Sequence, residues 1–173
     1  MLENHYSARK WLVPLVLFVF YTIIMQWQGA VLKSTSIPSG IIALEFANNF
    51  EQLHFIISHW QKENVIINIA LDFGYIIIYT YFFVSLLKLL SGLLIKTKLS
   101  KLFNVLAIGF WLATFCDLIE NCCMLLSIGG IEKDSILYIT TIMASFKFAV
   151  ILISSVAMIF GLMYKMTLKL VFS

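Results

Sequence analysis

Charge is scarce in this sequence. Only 12% of its 173 residues are Asp, Glu, Lys or Arg, while 61% are hydrophobic. A soluble domain carries about a quarter charged residues and about half apolar ones. The shortage excludes an ordinary water-soluble fold and points to a polytopic membrane protein. No polar segment is long enough to fold separately, so one membrane domain, 1–173, is expected.

Other absences narrow the function. The formal charge of +3 is small and scattered, and no Lys/Arg run has aromatics interleaved, so nucleic acid is excluded as a partner. No G-x-S-x-G elbow and no Gly-rich phosphate loop occurs. The three cysteines, Cys116, Cys122 and Cys123, form no C-x-x-C and read as small buried apolar residues. No histidine lies in an apolar stretch, which argues against haem or a histidine-based zinc site. His54 and His59 are five apart, the wrong spacing for H-E-x-x-H, and His54 with Glu51 reads as a surface pair. No metal-ligand set and no cofactor are expected.

What is present is four long apolar stretches, about 11–32, 65–90, 102–128 and 136–164. A span needs about 20 apolar residues, so each can cross a bilayer. The expected fold is all-α: four transmembrane helices in an antiparallel bundle. Arg9, Lys10, Lys88, Lys96, Lys98, Lys101, Lys165 and Lys169 fall on one side, and only Lys33, Lys62 and Lys133 on the other. The positive-inside rule then puts both termini in the cytoplasm. Trp11, Trp27 and Trp60 sit where interfacial anchors belong.

The outer connection, 33–64, opens with the turn-forming "KSTSIPSG" and continues with the apolar "IIALEFA". Asn48 with Glu51 three residues on predicts a capping box. Phe50, Leu53, Ile57 and Trp60 recur at helical spacing, which predicts an amphipathic helix over 49–61 within an outer segment of about 41–61.

Each long stretch also carries one polar edge. Asn64, Asn68, Asp72, Tyr75 and Tyr79 share a helical face; so do Thr114, Asp117, Glu120, Asn121 and Ser127; so do Thr140, Ala144, Lys147 and Ser154. The first stretch offers Thr22, Gln26 and Gly29. At 1.5 Å per residue, Asp72 lies about 10 Å from the outer end, Glu120 about 12 Å, and Asp117 and Lys147 about 17 Å. An intramembrane charge costs at least about 2.5 kcal/mol. Four ionisable groups at one depth therefore predict a facing cluster. Three acids against one lysine predict one or two protonated carboxyls, or a bound cation. Tyr75 and Tyr79 would donate to whichever carboxylate stays charged.

The segments "ALEFA" (43–47) with Trp60, "LDFGYIIIY" (71–79), "CDLIEN" (116–121) and "ASFKF" (144–148) occur in this order. The pattern resembles a family of small four-helix bacterial membrane proteins to which no activity is attached. The resemblance implies the four-helix fold and a bacterial inner membrane. It singles out Glu45, Asp72, Asp117, Glu120, Asn121 and Lys147.

Three functions stay open at this level. One is a binding site for a lipid, small amphiphile or cation, with Glu45 as a rim acid. A second is a small membrane enzyme using Asp117 and Glu120 as acid and base beside Lys147. A third is an accessory subunit or homo-oligomer, mating through the small residues Ala157 and Gly161.

Overall fold

The computed structural model describes the backbone of residues 2–94 and 97–171, and the side chains of 12–94 and 97–167. The side chains of Arg9, Lys10, Trp11, Lys96 and Lys169, used above for orientation and anchoring, lie outside the described residues. Among the described residues six helices follow one another: α1 (Leu2–Ala30), α2 (Ile42–Glu45), α3 (Phe50–Ser58), α4 (Lys62–Leu93), α5 (Lys98–Ile128) and α6 (Asp134–Val171). Four stretches within them, Leu12–Ala30, Lys62–Leu93, Lys98–Ile128 and Asp134–Thr167, are long and apolar enough to cross a membrane.

Helices α4, α5 and α6 run past the predicted spans, and at the start of α5 a polar cap sets the end. Thr97 accepts from the Ser100 backbone N–H and starts α5 four residues earlier than expected. Gly130, at φ +89°, closes α5. Its N–H bonds the Ser127 carbonyl and that of Ile131 bonds Leu126, the paired pattern of a Schellman stop. The cap of α3 falls one residue later than predicted. Asn49, not Asn48, accepts from Gln52 N–H at 2.8 Å, and the Gln52 side chain accepts from Asn48 N–H at 3.0 Å. Glu51 takes no part in the described cap bonds. Two adjacent asparagines offered the same signal, and the helix phase that buries Leu53 and Ile56 selects the second.

Packing is uneven. Helix α5 lies between α4 and α6 in extensive contact with both, while α1 rests mainly on α4. Only 11% of the α1 span is buried against 39% of the α4 span, so the unit is a three-helix core with a fourth helix laid against one side. Two apolar clusters fill it. Around the 31–61 connection, Leu44, Leu53 and Ile56 pack on Ile69, Met124 and Leu137. At the other end, Ile76, Leu87, Phe103, Phe110 and Met158 form the second cluster. Phe18 extends it onto α1, stacking on Phe82 at 4.5 Å, and Phe83 stacks on Phe110 at 4.9 Å. The Phe-rich run thus joins three helices.

Two glycines set close approaches. A Cβ on Gly161 would strike the Phe103 ring, and one on Gly74 the Tyr21 hydroxyl. The expected mating face at Gly161 is therefore filled from within the chain. Trp60 donates its Nε1–H to the Leu32 carbonyl at 2.8 Å, clipping the end of the connection to its start.

Candidate functional site

On α4, α5 and α6 the residues between the two apolar clusters are polar: Asp72 on α4, Asp117, Glu120 and Asn121 on α5, and Lys147 on α6. Lys147 is the centre. Its Nζ donates to Asp117 Oδ1 at 3.0 Å and to Glu120 Oε1 at 2.8 Å, and stands 3.6 Å from Glu45 Oε1. Tyr79 donates to the other Asp117 oxygen at 2.6 Å. All of these side chains are buried, Glu120 completely. A lone charge in such a place is costly, and ion pairing offsets that cost only with good geometry and further hydrogen bonds.

Glu45 arrives from outside the long helices. The short α2 lies over α5 and α6. Leu44 and Ala47 are buried in the first apolar cluster, Phe46 stacks on Phe148, and Thr141 donates to the Glu45 carbonyl at 3.3 Å. These contacts drive the carboxyl inward until only 6% of the residue is exposed. Glu45 is thus a buried member of the cluster rather than an acid on its rim. Burial pushes its carboxyl up; Lys147 opposes that shift, Asp117 adds to it, and Glu120 and Lys147 oppose it by hydrogen bonding.

The remaining expected residues divide. Asp72 accepts from Asn121 Nδ2 at 2.7 Å, beside the lysine cluster and not on it. Tyr75 does not reach a carboxylate. Its hydroxyl pairs with Thr22 Oγ1 at 3.0 Å, because α1 covers that side of α4. Gln26 is exposed, and Gln28 takes the inward place. It donates to the Asn64 carbonyl at 2.8 Å and accepts from Asn68 Nδ2. A seven-residue spacing from Tyr21, whose hydroxyl donates to the Leu71 carbonyl, was the available signal for Gln28. Thr80 and Thr114, joined at 2.7 Å, link α4 to α5. His54 pairs with Glu132 at 3.1 Å on the exposed surface, not with Glu51.

Two features remain chemically open. Glu45 Oε2 and Glu120 Oε2 are buried and meet no N–H or O–H donor among the described residues, the two carboxyls being within hydrogen-bond reach of each other when one is protonated. Next to Glu45 lies a cavity of about 40 Å³ between α1, α2, α4 and α5, lined by Glu45, Asn68, Asp72 and Asn121 with apolar neighbours. A larger open cleft of about 360 Å³ lies between the connection and the start of α6, lined by Asn48, Asp134, Tyr138 and Thr141 among others. Among the described residues, no three His, Cys, Asp or Glu side chains are arranged to hold a metal ion.

The chain matches no family model, no curated protein and no solved structure. A functional reading therefore rests on the geometry.

Proposed function

We propose that the chain is a multi-pass membrane protein that binds a small cation among its buried carboxylates. In this reading both termini are cytoplasmic, as the lysine distribution requires, and the 31–61 connection caps the outer end. The carrying observation is the charge count at the site. Three buried acids, Glu45, Asp117 and Glu120, face one cation, Lys147, and a fourth, the half-buried Asp72, lies beside them. Two of the acids keep an oxygen with no donor. Carboxylates crowded in a low-dielectric interior attract positive charge, and a buried anion without a partner is expensive.

Cavity size at the carboxylates supports a cation over a lipid or amphiphile, since the cleft of about 360 Å³ is lined by none of these four acids. Pockets for drug-sized ligands run from about 300 to 1,000 Å³, and the cavity beside Glu45 has about 40 Å³. The enzyme reading draws less support. Asp117 has one oxygen bonded to Tyr79 and the other to Lys147, an arrangement that holds it in place and shields it from a substrate. For the subunit reading, Gly161 is already filled by Phe103.

Melting of the full chain in mild detergent tests the proposal. Chlorides of lithium, sodium, potassium, ammonium, magnesium and calcium are compared with choline chloride at constant ionic strength. At least one should raise the melting temperature saturably, by linkage to the folded state. Glu45→Gln, which lowers the acid excess by one, should shrink the rise. Equal melting in every salt would contradict the proposal.

A further inference from the structure

The cavity beside Glu45 has a lining whose atoms can be assigned one by one. Asn64 contributes a backbone carbonyl, which can only accept, so the group of Gln28 that meets it at 2.8 Å must be its NH₂. That turns Gln28 Oε1 toward Asn68, and the partner it finds there is the Asn68 NH₂. Asn68 therefore keeps its carbonyl oxygen. The same logic holds on α5. Asp72 Oδ2, an acceptor when ionised, fixes the Asn121 NH₂ at 2.7 Å and leaves the Asn121 carbonyl oxygen over. Asp72 Oδ1 has no donor among the described bonds, and Glu45 Oε2 is buried and unpartnered.

Four side chains that line one cavity thus each keep a spare oxygen: two carboxylates and two amides, from α2, α4 and α5. Each asparagine NH₂ also keeps one N–H, so the carbonyl oxygens, not the whole amides, are what these two residues offer a cation. Met25 and Met124 complete the wall with apolar surface, which strips water from whatever enters. An all-oxygen shell is the chemistry of hard cations.

We infer that this cavity, formed by Glu45, Asn68, Asp72 and Asn121, binds one small hard monovalent metal cation of the sodium class. The inference rests on the cation reading above and gives it a place and a ligand set distinct from the lysine. Coordination sets the class: the four protein oxygens fall short of the six to eight that calcium takes. Volume agrees as well. A water needs roughly 10–15 Å³ by this measure, so about 40 Å³ holds an ion with one or two waters. Gln28 is a positioning residue: it touches no ion and holds the Asn68 amide the right way round.

Binding of radioactive sodium to the full chain in mild detergent tests this directly. The wild type should bind saturably, with unlabelled sodium competing and choline not. Asp72→Asn and Asn68→Leu should each weaken binding at least about tenfold. Gln28→Met should weaken it with the carboxylates intact, whereas Thr22→Val, away from the cavity, should not. Size-exclusion profiles confirm that each variant is folded. The selectivity of the wild type needs no variant, so a misfolded one does not shield the inference. Calcium displacing sodium at equal or lower concentration would overturn it, as would wild-type binding in a folded Asp72→Asn. A wild type stabilised by some other cation but not binding sodium would overturn this inference and leave the cation reading standing. Indifference to every cation would sink both.

Discussion

Two polar seams run through this molecule, and they are joined by different chemistry. Between α1 and α4 the contacts are neutral: Tyr21 to the Leu71 carbonyl, Thr22 to Tyr75, and Gln28 to Asn68. Where α2, α5 and α6 meet, the contacts are ionic, with Lys147 against Glu45, Asp117 and Glu120. Neutral hydrogen bonds between apolar helices contribute modestly, about 0.6 kcal/mol each on average, because the separated helices find other partners. A buried charge has no comparable refuge. The α1–α4 seam therefore serves as fastening, whereas the α2–α5–α6 seam keeps more acid than its own base can balance. The cavity lies where the two seams meet: Gln28 and Asn68 belong to the first, Glu45 to the second.

Breaking the ionic seam should cost most. Lys147→Met removes the one cation from three carboxylates and should destabilise the chain by about 3–5 kcal/mol, read as a lower urea midpoint in detergent. Asp117→Asn loses a charge-assisted partner for both Tyr79 and Lys147, and a drop of about 1.5–3 kcal/mol is expected. Gly161→Ala tests packing alone. Its new methyl meets the buried Phe103 ring, and overpacking of this kind costs about 1–3 kcal/mol, with cation binding retained. Thr22→Val breaks one neutral contact and should cost only about 0.5 kcal/mol. If Thr22→Val matched Lys147→Met, the contrast between the seams would fail.

The charged seam was legible in the sequence for a simple reason. Asp117, Glu120 and Lys147 stand in stretches long and apolar enough to cross a membrane, and helical phase with 1.5 Å per residue predicts a shared face and level. Tyr79 followed from the same phase. Tyr75 has the correct face but an unexpected partner, since no periodicity says that α1 lies against that side of α4. Glu45 was marked only through the resemblance. Its burial depends on Phe46 meeting Phe148 and Thr141 meeting the Glu45 carbonyl, contacts across about a hundred residues of chain. Asn48 against Asn49, and Gln26 against Gln28, are close alternatives between which only the packed partner decides. The cavity was not legible at all, because a void is a property of how four elements fail to fill space between them.

The most direct test of the central claim is a native mass spectrum of the full chain released from mild detergent after exchange into a sodium-containing volatile buffer. A discrete adduct of one cation is expected on the wild type, absent from Glu45→Gln and Asp72→Asn and retained by Thr22→Val. A bare wild type, with Lys147→Met merely unstable, would contradict it and make the buried charges a device for holding helices together.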